Sequence, residues 1–381
     1  MDEPMCLTES LVSNSEVSTS EETVLETFSH QVGGRSLILT YNRNTVCKPL
    51  NPQELRFYLD LPESLRPFTP HYKGVLKVAV QIDDAGKLKL TSSETPTACN
   101  GKIRINNVLK DDENLSKGGN LHNGDGSLHS EGSINPWTFH CENLLYESLK
   151  ESVNNNKPID FMLMEDLVHN YVSPCIMDLK MGNTMHDSYT NEEKYERQKA
   201  KVSASTSKTL GLRIAGIQIY NQDLKKYIYQ NKYFGFELND QSFKEELSKF
   251  VHNGNQLRKH VVVSFLEKLQ ELYKCLEKQD KLRFFSSSLL LIYEGHHNEL
   301  CENTSSNASN YSQRNGQDEM AAVKMIDFAR SFHYTQMIPI GADESYLLGL
   351  RNLIKMFQEI LLEEETHNHN SFSRVKESTN N

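Results

Sequence analysis

The chain has 381 residues, 37% apolar and 24% charged, which is enough for two domains or for one large two-lobed domain with a core of its own. Its net charge of −10 argues against a general nucleic-acid binder, so no nucleic-acid partner is expected. No apolar run reaches the length of a membrane span, so stable membrane insertion is not expected either.

The cysteine pattern bears on the compartment. Seven cysteines are scattered along the chain, and none forms a Cys-x-x-Cys pair. An odd and unclustered set fits a reducing compartment better than a disulfide framework or a zinc site. The acidic, serine-rich start lacks the apolar segment of a secretory signal. We therefore expect a cytoplasmic or nuclear protein, and the sequence does not identify protein partners.

The first half of the chain is rich in strand patterns. Residues 1–24 have the composition of a disordered tail. Strands are then predicted in SLILTY, GVLKVAVQI, KLKLT and DFMLMED. A polar, glycine-rich stretch over 93–135 interrupts them and is predicted to be a surface insertion. Residues 25–165 therefore form the predicted N-terminal, strand-rich lobe.

The second half mixes strands with long helices over 166–363, the predicted C-terminal catalytic and substrate lobe. CIMDLKM and GLRIAGIQIY are predicted strands. A capping-box pattern places the start of a helix near Ser242. The next predicted helix carries one apolar face from Leu257 to Leu276.

Two further strands, in FFSSSLLLIYEG and VKMIDFA, flank a low-complexity insertion over 296–319. A last helix is predicted from Asp343 to about Glu363, followed by a second disordered tail over 364–381. This order of elements is typical of a two-lobed α+β enzyme with a cleft between its lobes.

Lys48 and a glycine pair are the first residues that could do chemistry. A lone lysine on an apolar strand is ordinarily a surface residue whose stem packs against an edge. The alternative is a lysine that holds nucleotide phosphates, oriented by a carboxylate on the following helix, for which Glu54 is the candidate. Gly33 and Gly34 lie one hairpin earlier; such a pair lets backbone amides approach a phosphate, but it also makes simple hairpin turns.

Asp178 and Lys180 lie two residues apart in an apolar strand, so they point to the same face. A buried carboxylate beside a buried ammonium is expected where a phosphoryl group is transferred. The lysine stabilises negative charge that develops on the oxygens, and the aspartate positions a hydroxyl.

Asp327 ends another apolar strand. It is either a turn or helix-capping aspartate, or the carboxylate that binds Mg²⁺ against ATP phosphates, since this hard cation prefers oxygen ligands.

A basic segment follows the strand of Asp178. Lys194, Arg197 and Lys201 share one helical face, and Lys208 and Arg213 lie nearby. The segment is either a solvated helix face paired with neighbouring glutamates or a surface that holds a polyanionic substrate.

Three motifs carry a family resemblance. PCIMDLKMG, 174–182, is the PxxxDxKxG signature of the inositol polyphosphate kinases, and SSSLL, 286–290, and IDF, 326–328, resemble two further landmarks in the same order. The resemblance runs from about residue 27 to 362, outside the two insertions. Segments such as HQVGG, TVCKPL and RFFSSSLLLIYEG resemble the inositol hexakisphosphate kinase branch, and the multikinase branch stays open.

The resemblance implies a two-lobed α+β fold, similar to protein kinases and ATP-grasp enzymes, with ATP and Mg²⁺ in the cleft between the lobes. It implies that Lys48, Gly33 and Gly34 contact the ATP phosphates. The backbone of Glu165 and Leu167 would form the hinge that meets adenine.

The resemblance also implies the reacting centre. Asp178 would contact the nucleotide ribose or the reacting atoms, Lys180 the transferred phosphate, and Asp327 the Mg²⁺. Arg35 departs from the family pattern, which usually has histidine after the glycine pair. The implied contacts to an inositol phosphate substrate are Pro174, Lys180, Gly182, Lys194, Arg197, Lys201, Lys208 and Arg213.

The expected activity is an ATP-dependent kinase that phosphorylates inositol hexakisphosphate, and also the pentakisphosphate, to diphosphoinositol polyphosphates. One alternative is a multikinase that phosphorylates free hydroxyls of lower inositol phosphates. Another is a non-catalytic scaffold that binds inositol polyphosphates. The presence of Lys48, Asp178, Lys180 and Asp327 together argues against the scaffold.

Overall fold

The computed structural model covers both predicted lobes. The tail over 1–21, Arg35, the side chain of Lys194 and most of the two predicted insertions lie outside the described residues. The described residues are 22–34, 36–82, 88–92, 94–97, 137–138, 140–145, 149, 157–184, 192–252, 256–296, 321–333 and 341–378.

An antiparallel sheet of seven strands forms the N-terminal lobe, in the order β1-β6-β5-β7-β4-β3-β2. Its buried face packs Leu76, Val78 and Phe161 against Cys141 and Leu145, which lie on helical backbone after the first insertion. Asn51 caps the first helix by accepting from two backbone amides. The strands and the helix are β1 Thr23–Val24, β2 Glu26–Thr27, β3 Leu39–Asn42, β4 Thr45–Pro49, β5 Tyr72–Ile82, β6 Leu88–Ser92, β7 Ile159–Glu165 and α1 Pro52–Leu59.

The C-terminal lobe is built on a five-stranded antiparallel sheet in the order β10-β9-β8-β12-β13, next to a two-stranded sheet of β11 and β14. The strands are β8 Pro174–Met181, β9 Leu212–Asn221, β10 Lys226–Gln230, β11 Leu282–Phe284, β12 Ser288–Glu294, β13 Ala321–Ile326 and β14 Ser331–His333. The helices are α2 Glu192–Ser203, α3 Ser207–Leu210, α4 Lys232–Glu237, α5 Asp240–Phe250, α6 Lys259–Glu277 and α7 Glu344–Ser378.

Helices α6 and α7 cover one face of this sheet. The apolar stripe of α6, which includes Phe265, Leu269 and Leu272, is fully buried with Leu350 and Phe357 of α7. The spacing of these side chains at three and four residues explains why this segment is a helix with one buried face.

Aromatic packing joins α1 to the C-terminal lobe. The ring of Phe57 stacks on Phe328 with centroids 4.4 Å apart, and Tyr58 meets the same ring edge-on at 5.3 Å. Gln53 Nε2 donates to the carbonyl of Ser331 at 2.9 Å. These contacts hold α1, which carries Glu54, against the segment that carries Asp327.

The α+β class predicted from the sequence is confirmed by this arrangement. Two helix limits differ from the sequence patterns. Helix α5 begins at Asp240 with Asn239 as its N-cap, and Ser242 supplies the reciprocal half of the capping box. Helix α7 continues to Ser378, past the predicted end near Glu363 and through most of the segment predicted as a disordered tail over 364–381. Among the helices of the described ranges, none combines the length and apolar character needed to cross a bilayer.

Candidate active site

Lys48 and Glu54 form an ion pair in which the carboxylate is buried and the lysine is partly exposed. Lys48 lies on β4, and its Nζ is 2.8 Å from Glu54 Oε1. The same oxygen accepts the backbone N–H of Phe328 at 3.1 Å, so Glu54 ties the lysine to the C-terminal lobe. Burial would lower the pKa of Lys48, but the carboxylates of Glu54 and Asp327 outweigh it and raise the pKa above its usual value. Lys48 is therefore a fixed cation.

Asp327 lies between two lysines, one from each lobe. Its Oδ1 is 3.6 Å from Lys48 Nζ, and its Oδ2 is 3.8 Å from Lys180 Nζ. Burial would raise the pKa of Asp327, but the two ammonium groups lower it. The residue has a φ of +63°, a left-handed conformation that aspartate tolerates better than most side chains. About one third of its side chain (32%) is exposed, so this carboxylate is accessible from solvent.

Lys180 lies near the end of β8, the central strand of the C-terminal sheet. Its strand β8 runs between β12 and β9, which place Ser288 and Arg213 opposite it. Lys180 Nζ donates to Ser288 Oγ at 3.2 Å. Burial lowers the pKa of Lys180, against the opposing effect of Asp327 and Asp178. The ammonium is thus anchored to the sheet and directed towards Asp327.

Asp178 is the most buried acid of the site, with 2% of its surface exposed. Burial raises its pKa to about 6; Lys180, Ser288 and Arg213 pull the pKa down, and Asp327 pushes it up. Its Oδ1 has no hydrogen-bond partner among the described residues. A β-carbon at position 33 would overlap Asp178 Oδ2, so only glycine allows this close approach at Gly33.

Arg213 is a buried cation beside Asp178 and Lys180. Its guanidinium lies 4.5 Å from the centroid of the Phe236 ring. Its Nε and one terminal nitrogen have no hydrogen-bond partner within the described part of the chain. Burial lowers the pKa of Arg213 to about 10, opposed by Asp178. A buried guanidinium with open donors is suited to an anion such as a phosphate.

The connection between the lobes begins at Glu165, the last residue of β7. Its backbone N–H donates to the carbonyl of His71 at 2.8 Å, and its Oε2 accepts the N–H of His71 at 3.0 Å. Leu167 packs against a small apolar cluster that includes Val32 and Ile176. This buried cluster joins the segment before the glycine pair to β8, next to the predicted hinge.

Two signature residues shape the strand rather than offer groups to the cleft. Pro174 begins β8, six residues from Lys180 and about 20 Å away at strand spacing. Gly182 ends the motif with a φ of +88°, and a β-carbon there would lie 2.9 Å from Ser345 Oγ. The structure therefore does not bring Pro174 to the other candidates, and it explains Gly182 by its backbone turn and close packing.

The basic segment lies at the Lys180 end of the sheet, because α2 and α3 connect the end of β8 to the start of β9. Arg197 is exposed and lies 4.0 Å from Glu193 one turn earlier. Lys201 and Lys208 are exposed. Lys194 is on α2, but its side chain lies outside the described residues. The structure brings together Lys48, Asp178, Lys180, Arg213 and Asp327, and it leaves α2 as a charged surface beside them.

Sequence reasoning missed two contacts. Ser288, which holds Lys180, lies in the SSSLL motif, but the motif alone indicates no role for it. Phe236 stacks on Arg213 from a helix that starts 19 residues later, at Lys232, and no local pattern signals that contact.

The chain is similar to known inositol phosphate kinases in sequence and in fold. The family model "Inositol polyphosphate kinase" matches residues 161–358. Inositol hexakisphosphate kinase 2 of Oryctolagus cuniculus is 32% identical, over 88% of this chain and 95% of that protein. Inositol hexakisphosphate kinase 3 of Mus musculus is 34% identical with the same coverage. Among solved structures, an inositol phosphate multikinase of S. cerevisiae in complex with ADP and Mn²⁺ is 23% identical with a TM-score of 0.53, covering 84% of this chain and 99% of that one. This last likeness supports the two-lobed fold.

Proposed function

The chain belongs to the inositol polyphosphate kinase family, and on that premise we propose that it is an ATP-dependent kinase that phosphorylates a phosphate group of inositol hexakisphosphate. The product is a diphosphoinositol polyphosphate. The pentakisphosphate is a second substrate in this proposal.

The observation that carries the proposal is the meeting of two lysines from different lobes at one carboxylate. Lys48 comes from the N-terminal lobe and Lys180 from the C-terminal lobe, and both lie within 4 Å of Asp327. Phosphoryl transfer needs positive charge on both sides of the group that moves, because the transition state spreads negative charge over its oxygens. Two lysines from different lobes, held at one carboxylate, meet this need.

The roles follow from the positions. Lys48, held by Glu54, binds the phosphates of ATP. Lys180 and Arg213 bind the transferred phosphoryl group and the acceptor phosphate. An oxygen of the acceptor phosphate attacks the terminal phosphorus of ATP, the bond from that phosphorus to the bridging oxygen breaks, and ADP leaves with the electron pair.

Asp178 suits a reaction whose acceptor is a phosphate better than one that needs a strong general base. Phosphate monoesters have a second pKa near 6, so an acceptor oxygen is already ionised at neutral pH and needs no base. The Asp178 carboxyl has a pKa of about 6 and lies against Gly33, and we assign it to orienting ATP over Lys180.

Asp327 suits a divalent cation. Its carboxylate is partly exposed. Within the described residues no group of three or more histidine, cysteine, aspartate or glutamate side chains forms a metal cage. Mg²⁺ is commonly held by one or two carboxylates together with phosphate oxygens and water, so a single open carboxylate fits. Mg²⁺ bound there would neutralise charge on the ATP phosphates. The ADP and Mn²⁺ in the yeast multikinase structure support this proposal.

The substrate class rests on the relatives and on charge. The relatives at 31–34% identity that cover 88% of this chain are named inositol hexakisphosphate kinases. Arg213, Arg197, Lys201 and Lys208 lie at or beside the Lys180 end of the sheet, where a heavily phosphorylated ring would be held. We place the reaction in the cytoplasm or nucleus, because the described cysteines are free thiols.

The test is an ATP-dependent assay on a panel of inositol phosphates from the trisphosphate to the hexakisphosphate. We expect transfer to the hexakisphosphate, with a product that releases one phosphate when a diphosphate-specific hydrolase is added. An Asp327→Ala preparation purified in parallel detects contaminating kinases. Transfer only to lower inositol phosphates that carry free hydroxyls would support the multikinase alternative. No transfer, with tight binding of inositol phosphates, would support the scaffold.

A further inference from the structure

The glycine turn, which we define as Gly33 and Gly34, has its carbonyl groups held by side chains. Gln31 Nε2 donates to the carbonyl of Gly33 at 3.0 Å and to that of Ser36 at 2.8 Å. Trp137 Nε1 donates to the carbonyl of Gly34 at 3.2 Å. Bound carbonyls cannot rotate towards a phosphate and repel it, so the turn is free to present its amides instead.

Trp137 is the one tryptophan of the chain, and it is 6% exposed. It belongs to the N-terminal lobe, but its ring contacts the other lobe. Lys232 Nζ of α4 lies 4.9 Å from the centroid of the indole, within cation–π range. The indole therefore contacts the glycine turn through its N–H and the C-terminal lobe through the face of its ring.

Helix α4 is itself fixed against β9. A β-carbon at Gly235 would overlap the carbonyl of Ile214, so the helix backbone lies directly on the strand. Phe236 of the same helix stacks on Arg213. The position of Lys232 is thus set by the strand that carries the candidate phosphate-binding arginine.

We propose that Trp137 is a positioning residue that holds the glycine turn over Asp178 for the ATP phosphates, and that Lys232 secures Trp137 from the opposite lobe. This proposal rests on the proposed function, since it assigns the turn to ATP. It gives the indole a role in nucleotide binding although the indole need not touch the nucleotide.

The test compares Trp137→Phe, which keeps an aromatic ring but removes the N–H donor, with Lys232→Met, which keeps the aliphatic stem but removes the charge. Lys278→Met, an exposed lysine just after α6, is the matched control. Affinity for a non-hydrolysable ATP analogue is measured by calorimetry. KM values for ATP and inositol hexakisphosphate and the melting curve are measured on the same full-length preparations.

Loss of one neutral hydrogen bond predicts a rise of about threefold to tenfold in Kd and KM for the nucleotide in Trp137→Phe. A rise of about twofold to fivefold is expected in Lys232→Met. KM for the inositol phosphate and the melting temperature of Lys232→Met should stay close to wild type, as in Lys278→Met. Lys232→Met leaves the core intact, so it tests the proposal even where Trp137→Phe is unstable.

Wild-type nucleotide affinity in Lys232→Met and in folded Trp137→Phe would overturn the proposal. Equal rises in both KM values with a lower melting temperature would also overturn it, because they indicate a role in stability alone. A wild-type protein that binds the ATP analogue but transfers nothing to inositol hexakisphosphate would contradict the proposed substrate. The variants' nucleotide affinities would still decide the role of Trp137. A wild-type protein that binds no nucleotide would overturn both.

Discussion

Replacing Asp178 by asparagine should stabilise the protein at neutral pH while it abolishes turnover. The Asp178 carboxyl is buried, and its pKa is raised to about 6 from an unfolded value of 3.8. Ionising it in the folded state is therefore costly, and asparagine, which has the same shape and no charge, removes this cost. A residue that destabilises the fold and is still present is expected where function requires it.

The magnitude and its pH dependence follow from the two pKa values. A raised folded pKa means that the folded state binds more protons, so the contribution to stability is present below pH 3.8 and is lost as pH rises through about 6. Linkage gives a wild-type loss of about 1 kcal/mol at pH 4.5 and about 3 kcal/mol at pH 7.5. Asp178→Asn should therefore gain about 2 kcal/mol more over wild type at pH 7.5 than at pH 4.5.

The assay is urea unfolding of both proteins at pH 4.5 and pH 7.5, with the free energy of unfolding extrapolated to water. Asp60→Asn, at an exposed aspartate at the end of α1, is the control for an aspartate-to-asparagine change outside the site. The pH-dependent difference is the quantity to compare, because any fixed difference between asparagine and a protonated aspartate cancels from it.

An Asp178→Asn advantage that is the same at both pH values would refute this reasoning. It would mean that Asp178 is not a strained buried charge in the folded protein. A gain in stability with unchanged turnover would refute the functional half of the account, since the acid would then serve neither folding nor catalysis.

Three further predictions concern the lysines and their partners. Asp327→Ala should lower kcat by at least about 100-fold in a steady-state assay, because it removes the open carboxylate proposed for Mg²⁺. Lys194→Ala combined with Lys201→Ala should raise KM for the inositol phosphate well above its effect on KM for ATP, measured by varying each substrate in turn. Glu54→Gln should do the reverse and raise KM for ATP, because Lys48 loses its partner at 2.8 Å.

Each of these results has a contrary outcome. Near-normal kcat and a normal melting curve would make Asp327 a turn residue. Equal effects on both KM values, or effects no larger than those of Lys278→Ala, would indicate that α2 is a solvated surface with no role in substrate binding. A Glu54→Gln variant that binds ATP as tightly as wild type would mean that Lys48 needs no orienting carboxylate.

Local patterns in the sequence predict much of the site. Period-two alternation places Asp178 and Lys180 on one strand face, and the structure puts both in β8 with Ser288 opposite Lys180. The pairing of Lys48 with a carboxylate on the following helix is also readable, because Glu54 is only six residues away. Alternating and continuous apolar runs likewise predict several strands of the two larger sheets.

Contacts between distant segments are not predictable in this way. Gly33 lies against Asp178, 145 residues later. Trp137 donates a hydrogen bond to Gly34, from which it is separated by most of the sequence of the N-terminal lobe. The first pair depends on how the two lobes pack against each other and the second on how the N-terminal lobe folds, and no local period encodes either. The predicted start of α5 differs for a local reason. The pattern around Ser242 resembles a capping box, but Asn239, three residues earlier, is an equally good cap and is the N-cap of the helix.

The most direct test of the central claim is single-turnover transfer from ATP to inositol hexakisphosphate by wild type and Lys180→Met, with nucleotide affinity measured in parallel. Lys180 Nζ lies 3.2 Å from Ser288 Oγ and 3.8 Å from Asp327 Oδ2, at the centre of the proposed site. We predict a folded Lys180→Met variant that binds ATP but transfers phosphate slower by on the order of 10²–10³ or more. Lys180→Arg should also fail, because a planar guanidinium does not replace a compact ammonium in a packed slot. Transfer by Lys180→Met at close to the wild-type rate would contradict the claim and limit Lys180 to a structural role through its contacts with Asp327 and Ser288.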